Sequence, residues 1–512
     1  MKAYIKQNGW QLACYMGLMV LPLLCCMVYC LKTGNSMWDI YLPASPWNDE
    51  LIYYKETEGI LKYGMPQGYF GYSENHALAG SLSVWSPALL LPWCIWGTFF
   101  GWNLLSPIWC NLVFTMLAMA FFCGMARPTK KQCFWIAVFY SFFQYFNRYI
   151  LSGLMEIPVY AFVIMALGLI YSIKKSYSGK KIVALYVILT ILTLMRPYML
   201  LLSVIPGYFL MKRKKKWIGI GIALVILQLV LYFSMTHYFC SPYLDGQGLL
   251  NGAWLEVFFT EGFKSGLKNF IYLFLSSWEE FMIYMVTIKT ENVCGVFAIL
   301  FGLFCYQLYR AVCRKEREQI LWNGFWILYY IAMLMASIYL FGVASGRKHM
   351  ICFIVMGIFV LAMDGLEISK SVALGLVLFY YFVANVAGGG YSWNIPYVDI
   401  NIQGEIQKGE AILHKEIEVA DQGPSYDNTV IWVFDDVVGE EYVYTNWQML
   451  YALPPGMGIN MCLFDSLASD LSNVQSKYIF VAAGGRTDEH CQRIGARKLV
   501  EYGGTIIYQL RD

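Results

Sequence analysis

Long apolar runs separated by short polar segments dominate the first three quarters of the chain. Several runs extend for about twenty residues, the length that an α-helix needs to cross a hydrocarbon core of about 30 Å. The connecting segments are often rich in lysine and arginine. This pattern predicts a mainly α-helical, polytopic transmembrane bundle.

The composition agrees with a membrane protein. Of the 512 residues, 58% are hydrophobic and only 14% are charged, whereas soluble domains have about 25% charged residues. The basic clusters are short and lie between apolar runs, which argues against nucleic-acid binding. The 15 cysteines show no paired spacing, and most lie inside apolar runs, where a thiol behaves as a small hydrophobic group.

The placement of positive residues predicts the topology, because loops rich in lysine and arginine remain in the cytoplasm. Placing every basic group inside predicts a multi-pass plasma-membrane protein with a cytoplasmic N-terminus and about eleven crossings. The predicted crossings lie near 11–31, 105–125, 133–148, 155–173, 182–195, 197–211, 217–236, 293–312, 321–342, 349–366 and 371–388.

Three segments complicate the regular alternation of inner and outer loops. The apolar stretches 84–100 and 270–288 would break it if they crossed, so each is predicted to lie on the outer leaflet or dip into it. The short runs 182–195 and 197–211 meet at Arg196-Pro197. They are interpreted either as two crossings or as a hairpin that does not fully cross.

Changes in polarity divide the chain into four parts. These are the first, uncleaved transmembrane helix (1–32), an external loop (33–104), a transmembrane core (105–388) and a soluble domain (389–512). In the last part, β-like runs occur at 430–434, 478–482 and 505–509, and a helix is predicted over 489–502, ended by Gly503-Gly504. A small extracytoplasmic α/β domain is therefore expected.

The external loop carries an acidic pair, Asp49-Glu50, close to the end of the first span. Ser45-Pro46 is typical of a helix start and Gly64 of a helix end, so both acids are predicted to lie in the first helical turn. Two interpretations follow. The carboxylates complement the positive end of the helix, or they deprotonate an acceptor hydroxyl or amine, or hold a divalent cation, at the membrane boundary.

Other candidate residues lie in the predicted external turns. Glu156 either caps the span that begins at Pro158, pairs with Arg148, or takes part in chemistry. Arginine suits phosphate because its planar guanidinium donates two hydrogen bonds at once. Arg196 and the Arg347-Lys348-His349 cluster are therefore candidate phosphate ligands, with interfacial snorkelling as the alternative.

Two further candidates come from the loop. His76 is a candidate for metal or acceptor contact, although a lone histidine is more often an ordinary loop residue. Aromatic side chains such as Tyr53 would stack on a sugar ring, but aromatic residues also favour the membrane interface without any ligand.

The loop that opens with Asp49-Glu50 and Tyr53 after an uncleaved first span resembles that of the GT-C class of membrane glycosyltransferases. The likeness is to the branch of protein O-mannosyltransferases and lipid A aminoarabinose transferases. The stretch from Asn75-His76-Ala77 to Ser86-Pro87 is similar to the juxtamembrane segment of this class. In architecture the resemblance covers about residues 1–370.

The resemblance implies roles for several residues. Asp49 would be the catalytic base and Glu50 its orienting or metal-binding neighbour. Glu156 occupies the position of a second acidic residue, which is more usually an aspartate, and it would join Asp49 if a divalent metal ion is bound. Arg347 resembles the late basic turn of the class and, with Arg196 and Lys348, would bind the donor phosphate, while Tyr53 and His76 would contact substrate.

The implied function is inverting sugar transfer from a polyprenyl-phosphate donor to a glycan, lipid or protein acceptor of the cell envelope. A flippase or other transporter of lipid-linked saccharides is an alternative, although no internal repeat is evident and the charges lie at the outer boundary rather than inside the spans. An envelope polysaccharide polymerase is another, but the long late loop 237–292 contains no arginine.

Overall fold

A computed structural model describes most of the chain. The described residues are 2–33, 36–38, 49–66, 70–72, 74–76, 86–239, 253–286, 293–365, 379, 402–417, 419, 425–433, 449–462, 464, 470–502 and 504–511. The α-helices are α1 (Lys2–Thr33), α2 (Asp49–Tyr63), α3 (Leu91–Phe100), α4 (Ser106–Ala126), α5 (Lys130–Phe142), α6 (Gln144–Leu151), α7 (Glu156–Lys175), α8 (Gly179–Met195), α9 (Val204–Arg213), α10 (Ile218–Phe239), α11 (Ala253–Thr260), α12 (Phe263–Val286), α13 (Val293–Cys313), α14 (Arg317–Ala336), α15 (Val343–Asp364), α16 (Ile402–Glu416) and α17 (Arg486–Arg493).

The predicted transmembrane helical bundle is confirmed. Within the described ranges, seven segments are long and apolar enough to cross a membrane: Gly9–Leu31, Ser106–Ala126, Glu156–Lys175, Lys215–Phe239, Val293–Cys313, Arg317–Tyr339 and Gly346–Asp364. The predicted number of about eleven crossings is not confirmed, and the predicted crossing 371–388 lies outside the described residues.

The shorter predicted crossings show why the number differs. The predicted span 133–148 is divided into α5 and α6 at Phe143. At Arg196 the helix α8 ends, and a 3₁₀ helix over Pro197–Ser203 leads into the ten-residue α9. The segments 86–100 and 263–286 are helical, as expected for interfacial segments, and their position in the outer leaflet stays a prediction.

Two helices form the centre of the bundle. In the apolar windows of α7 and α15, 89% of the residues are buried, against 17% in α10. Close packing of α7 on α4 depends on Gly168, where an added Cβ would lie 3.0 Å from the Cα of Phe122. The candidate residues at the ends of α7 and α15 are therefore held by the most buried part of the protein.

The basic residues of the loops predicted to face the cytoplasm lie at one end of the bundle. Lys175 donates hydrogen bonds to the carbonyl oxygens of Ala126 (2.6 Å) and Arg127 (3.0 Å), and Lys174 pairs with Asp364 at 3.3 Å. Glu156 begins the helix that Lys175 ends, so it lies roughly 30 Å away at the opposite end, given 1.5 Å per residue. This arrangement agrees with the predicted alternation, while the assignment of the basic end to the cytoplasm stays a prediction.

A seven-stranded sheet forms the small second part of the fold, as the predicted α/β domain requires. The strands are β1 (Phe70–Tyr72), β2 (Asn75–His76), β3 (Thr429–Val433), β4 (Gly458–Cys462), β5 (Tyr478–Ala482), β6 (Arg497–Tyr502) and β7 (Thr505–Gln509). Their order is β2-β1-β4-β3-β5-β7-β6. Because β1 pairs in parallel with β4, the external loop completes the sheet of the C-terminal part.

The predicted helix over 489–502 is wrong in its second half. The helix ends at Arg493, and Gly495 then adopts a left-handed conformation with φ of +72°. Residues from Arg497 onward form β6, which pairs antiparallel with β7. The glycine at 495 stops the helix before Gly503-Gly504, and sheet pairing then determines the conformation of the segment.

Glu74 attaches the external loop to the C-terminal part. It has a positive φ of 66° and is only 8% exposed. Its carboxylate accepts hydrogen bonds from the backbone N–H groups of Gln475 (2.8 Å) and Ser476 (2.6 Å). A buried carboxylate that accepts two backbone N–H groups stabilises both segments that it joins.

Replacement of Glu74 by alanine is expected to lower the free energy of unfolding of this junction by about 2 kcal/mol or more, because two buried donors lose a charged acceptor. Faster cleavage of the C-terminal part in limited proteolysis would measure the loss. Glu501→Ala removes an exposed carboxylate from the same sheet and is expected to change stability by less than about 0.5 kcal/mol. Equal cleavage rates for the two variants would contradict the role of Glu74.

Candidate active site

A buried ion pair lies at the end of the bundle opposite the basic loops. The Nη2 atom of Arg196 donates a hydrogen bond to Oε1 of Glu156 at 2.7 Å, and the two side chains are 0% and 1% exposed. The second carboxylate oxygen, Oε2, has no hydrogen-bond donor among the residues that the structure describes. The structure therefore brings together two predicted site residues that lie 40 positions apart.

The turn before α7 determines where Glu156 lies. Gly153 has φ of +69°, which a glycine adopts without strain. The side chain of Asn111 in α4 donates to the carbonyl oxygen of Leu154 at 2.9 Å and accepts a hydrogen bond from Nε1 of Trp93 at 3.0 Å. Helices α3 and α4 thus position the first residue of α7 through one buried asparagine.

Arg196 is positioned by the proline that follows it. A residue before proline avoids the helical conformation, and Arg196 accordingly leaves α8 in an extended conformation, with φ of −147° and ψ of 108°. Tyr53 and Tyr198 both lie near its guanidinium. Tyr53 belongs to α2 and is 1% exposed, so the external loop contributes directly to the surroundings of Arg196.

Two tyrosines and a histidine extend this cluster to α15. The hydroxyl of Tyr198 lies 3.1 Å from Nδ1 of His349, which is 2% exposed. The hydroxyl of Tyr160 donates to the backbone oxygen of Lys348 at 2.6 Å. Sequence reasoning missed both tyrosines, although Tyr198 lies two residues after Arg196 and Tyr160 one helical turn after Glu156. Those short spacings from the predicted site residues could have indicated that both tyrosines belong to the site.

The half-buried Arg347 lies beside this cluster. Its guanidinium carbon is 4.4 Å from the centre of the Tyr284 ring in α12, a cation–π contact. An added Cβ at Gly346 would lie 2.9 Å from the side chain of Ser337. The glycine therefore allows the start of α15 to approach the turn at 337–341, which places Arg347 and Lys348 at the same end as Arg196.

Helix α2 covers the same region. It begins at Asp49, and Glu50 is fully buried. Gly64, with φ of +78°, follows the last residue of the helix, as predicted. The carboxylate of Asp49 lies outside the described side chains, as do the side chains of His76 and Arg148. The structure thus gives the backbone position of Asp49 and leaves the direction of its carboxylate as a prediction.

The opposite face of α2 contacts the C-terminal part. Lys55 donates hydrogen bonds to the backbone oxygen of Leu453 (2.5 Å) and to Glu58 (3.0 Å). Burial raises the pKa of the Glu58 carboxyl, and the adjacent ammonium of Lys55 opposes this rise. The hydrogen bond from Lys55 to Leu453 connects α2 to the C-terminal part.

The described residues give limited support for a metal ion. No group of three or more His, Cys, Asp or Glu side chains able to hold one occurs in the described ranges. One oxygen of Glu156 already contacts a guanidinium, and a dication on the same carboxylate would be repelled by that positive charge. The predicted role of Arg196, Arg347 and Lys348 in binding a phosphate stays a prediction.

Comparison with known proteins gives structural likeness only. No protein-family model matches the chain, and no curated protein matches it in sequence. The chain is similar to the oligosaccharyltransferase of Archaeoglobus fulgidus in its apo form, with a TM-score of 0.53 and 11% identity over 93% of this chain and 70% of that one. The same enzyme tethered to an acceptor peptide gives 0.50 and 11% over 94% and 70%.

A further similar structure is ArnT from Cupriavidus metallidurans bound to undecaprenyl phosphate. It aligns over 98% of each chain at 9% identity, with a TM-score of 0.39, a likeness too weak to support an inference. The similarity to the archaeal oligosaccharyltransferase extends over almost the whole of this chain. The chain therefore has the fold of that oligosaccharyltransferase, in agreement with the predicted GT-C type of fold.

Proposed function

We propose that the protein is a membrane glycosyltransferase that moves a sugar from a polyprenyl-phosphate donor to a cell-envelope acceptor on the outer face of the plasma membrane. The observation that carries this proposal is the buried Glu156–Arg196 pair, joined to the external loop through Tyr53 and lying at the same end as Arg347 and Lys348. The GT-C fold supports it, because known members of this fold transfer sugars.

The proposed reaction is a direct displacement. The acceptor oxygen or nitrogen attacks the anomeric carbon, the bond from that carbon to the phosphate oxygen breaks, and the anomeric configuration inverts. Asp49 accepts the acceptor proton, and the bond's electron pair leaves with the polyprenyl phosphate. Arg347 and Lys348 neutralise the charge that develops on the phosphate, while Glu50 orients Asp49, and Tyr53 and His76 contact the substrates.

In this mechanism Glu156 and Arg196 position each other. The carboxylate holds the guanidinium at 2.7 Å, in the region that Arg196 shares with Tyr53 and Tyr198. We assign Arg196 to the phosphate together with Arg347. A metal ion on Asp49 and Glu156 is kept as a proposal, and no step depends on it. Chelation by EDTA, followed by addition of Mg²⁺ or Mn²⁺, tests it.

The function is tested with purified protein in liposomes that contain a polyprenyl phosphate carrying a labelled sugar, supplied with an extract of envelope acceptors. Cleavage of the sugar–phosphate bond and appearance of the label in the acceptor are expected. Movement of the intact labelled lipid between leaflets without cleavage would instead show a transporter. Transfer of long preassembled chains in place of single sugars would show a polymerase.

The double variant Arg347→Gln/Lys348→Gln is expected to raise the KM for the donor by at least about a hundredfold, because each charged hydrogen bond to phosphate contributes about 1.5–3 kcal/mol and two are removed. The matched control is Lys130→Gln/Lys131→Gln, which removes two exposed charges at the opposite end of the bundle. Initial rates measured against donor concentration separate KM from kcat. An unchanged donor KM in the first variant would remove these residues from the phosphate site.

A further inference from the structure

A cavity of about 650 Å³ lies at the basic end of the helix bundle. Its walls come from the last turn of α7, from the whole length of α9 and from the first turns of α14, and they include the apolar side chains of Ile205, Phe209 and Phe325. Lys174, at its edge, is 18 residues along α7 from Glu156, or roughly 27 Å. The cavity is therefore a separate site from the candidate active site.

The rim of this cavity is positively charged. It carries three cations, Lys174, Lys212 and Arg213, against the carboxylates of Glu318 and of Asp364, which pairs with Lys174, and this leaves a net charge of +1. Lys212 contacts Glu318 at 2.5 Å, but both side chains are more than half exposed, so the pair is weak and open to exchange. Arg213 lies 5.6 Å from the Tyr177 ring and has no carboxylate partner among the described side chains.

A hydrogen-bonded network holds one wall of the cavity. Asp364, at the end of α15, accepts hydrogen bonds from Nε1 of Trp322 (2.6 Å), the Tyr171 hydroxyl (3.0 Å) and Lys174 (3.3 Å). The ammonium of Lys174 also lies 4.0 Å from the centre of the Trp322 ring. Lys174 and Trp322 are thus fixed in place before any ligand arrives, as a preformed site requires.

We propose that this cavity binds an anionic glycerophospholipid of the leaflet at the basic end of the bundle. The cationic rim would contact the lipid phosphate, and the apolar wall below it would receive the first part of the acyl chains. Basic pockets between transmembrane helices at the cytoplasmic side are suited to such headgroups. A zwitterionic lipid fits less well, because its own ammonium would approach Lys212 and Arg213.

A soluble phosphate would share the rim contacts only. It would leave the apolar walls, which include Ile205 and Phe325, in contact with water. Burial of this apolar surface is expected to contribute more to the binding free energy than the contacts at the rim. The proposal therefore commits to a lipid, with a soluble anion as an outcome of the test.

The test uses the full-length protein in detergent and counts bound phosphatidylglycerol by native mass spectrometry. Lys212→Gln/Arg213→Gln is expected to weaken lipid binding by about 25-fold, at roughly fivefold for each cation removed near a membrane surface. The matched control, Lys215→Gln/Lys216→Gln, removes two exposed charges from the adjoining residues, which do not line the cavity. It is expected to bind like the unchanged protein.

A second variant tests the cavity without changing its charge. Leu321 lines the cavity and is 55% exposed, so Leu321→Trp is expected to fill the space and lower phosphatidylglycerol binding while the rim stays intact. Three results would overturn the proposal: equal binding of phosphatidylcholine, an equal loss in the control variant, or displacement of the lipid by glycerol phosphate at matched concentration. The last result would assign the rim to a soluble anion.

Discussion

Sugar transfer by the Asp49→Asn variant is expected to be at least a hundredfold slower than by the unchanged protein, since a positioned general base contributes about 10²–10⁴-fold to a rate. Asparagine keeps the size of the side chain and removes the negative charge. The KM for the donor is expected to change little, because the proposed phosphate ligands are Arg196, Arg347 and Lys348.

This substitution also separates the two interpretations of the acidic pair. Asparagine is as good as aspartate at a helix N-terminus, and a charge there contributes only about 0.3–1 kcal/mol. If Asp49 merely complements α2, Asp49→Asn will lower the melting temperature slightly and leave the turnover unchanged. If Asp49 is the base, the turnover will fall while the melting temperature stays nearly constant.

The pH dependence of the transfer rate tests the role of Asp49 as general base independently. The acidic limb of the rate profile should reflect protonation of the base and should disappear in Asp49→Asn. Asp49→Glu keeps a carboxylate and is expected to retain part of the activity together with the acidic limb. Full activity of Asp49→Asn at every pH would remove Asp49 from the mechanism, whatever the fold.

The membrane bundle was predictable because its signal is local. An apolar run of about twenty residues must avoid water whatever the rest of the chain does, and the seven candidate spans in the described ranges are such runs. The short runs were harder to interpret. Whether α8 crosses depends on how the turn at Arg196-Pro197 packs, and hydropathy contains no information on that packing.

The candidate site was likewise predictable where the signal is local and unpredictable where it depends on tertiary packing. The sequence pointed to Glu156 and Arg196 one at a time, because each charge lies at the edge of an apolar run. Their contact at 2.7 Å could not be predicted, since Arg148 was the nearer partner in sequence. The three-residue β1 was also missed, because so short a strand exists only through its pairing with β4. Tertiary contacts decide both features.

Breaking the buried pair is the second change with a large expected effect. Glu156→Gln leaves the guanidinium of Arg196 buried beside a neutral amide, and Arg196→Met leaves the carboxylate of Glu156 without its cation. Removing one partner of a buried ion pair costs about 3–5 kcal/mol. Each single variant is therefore expected to unfold at a clearly lower temperature and to transfer sugar poorly, so neither alone distinguishes a structural role from a chemical one.

The double variant Glu156→Gln/Arg196→Met makes this distinction, because it replaces the pair by neutral groups of similar size. Such replacements of buried pairs are often neutral for stability, so its melting temperature is expected to recover most of the loss. Because each single loss of about 3–5 kcal/mol is mostly recovered, a coupling energy of about 5 kcal/mol or more between the two positions would confirm the contact.

The activity of the double variant then reports on the charge of Arg196 itself. If that charge stabilises the leaving phosphate, turnover stays at least about a hundredfold below that of the unchanged protein although the fold is restored, as for loss of one preorganised electrostatic group. If the pair only holds α7 and α8 together, turnover recovers with the melting temperature. In that case the phosphate would be left to Arg347 and Lys348, and the Glu156–Arg196 pair would be a structural connection between the external loop and the bundle.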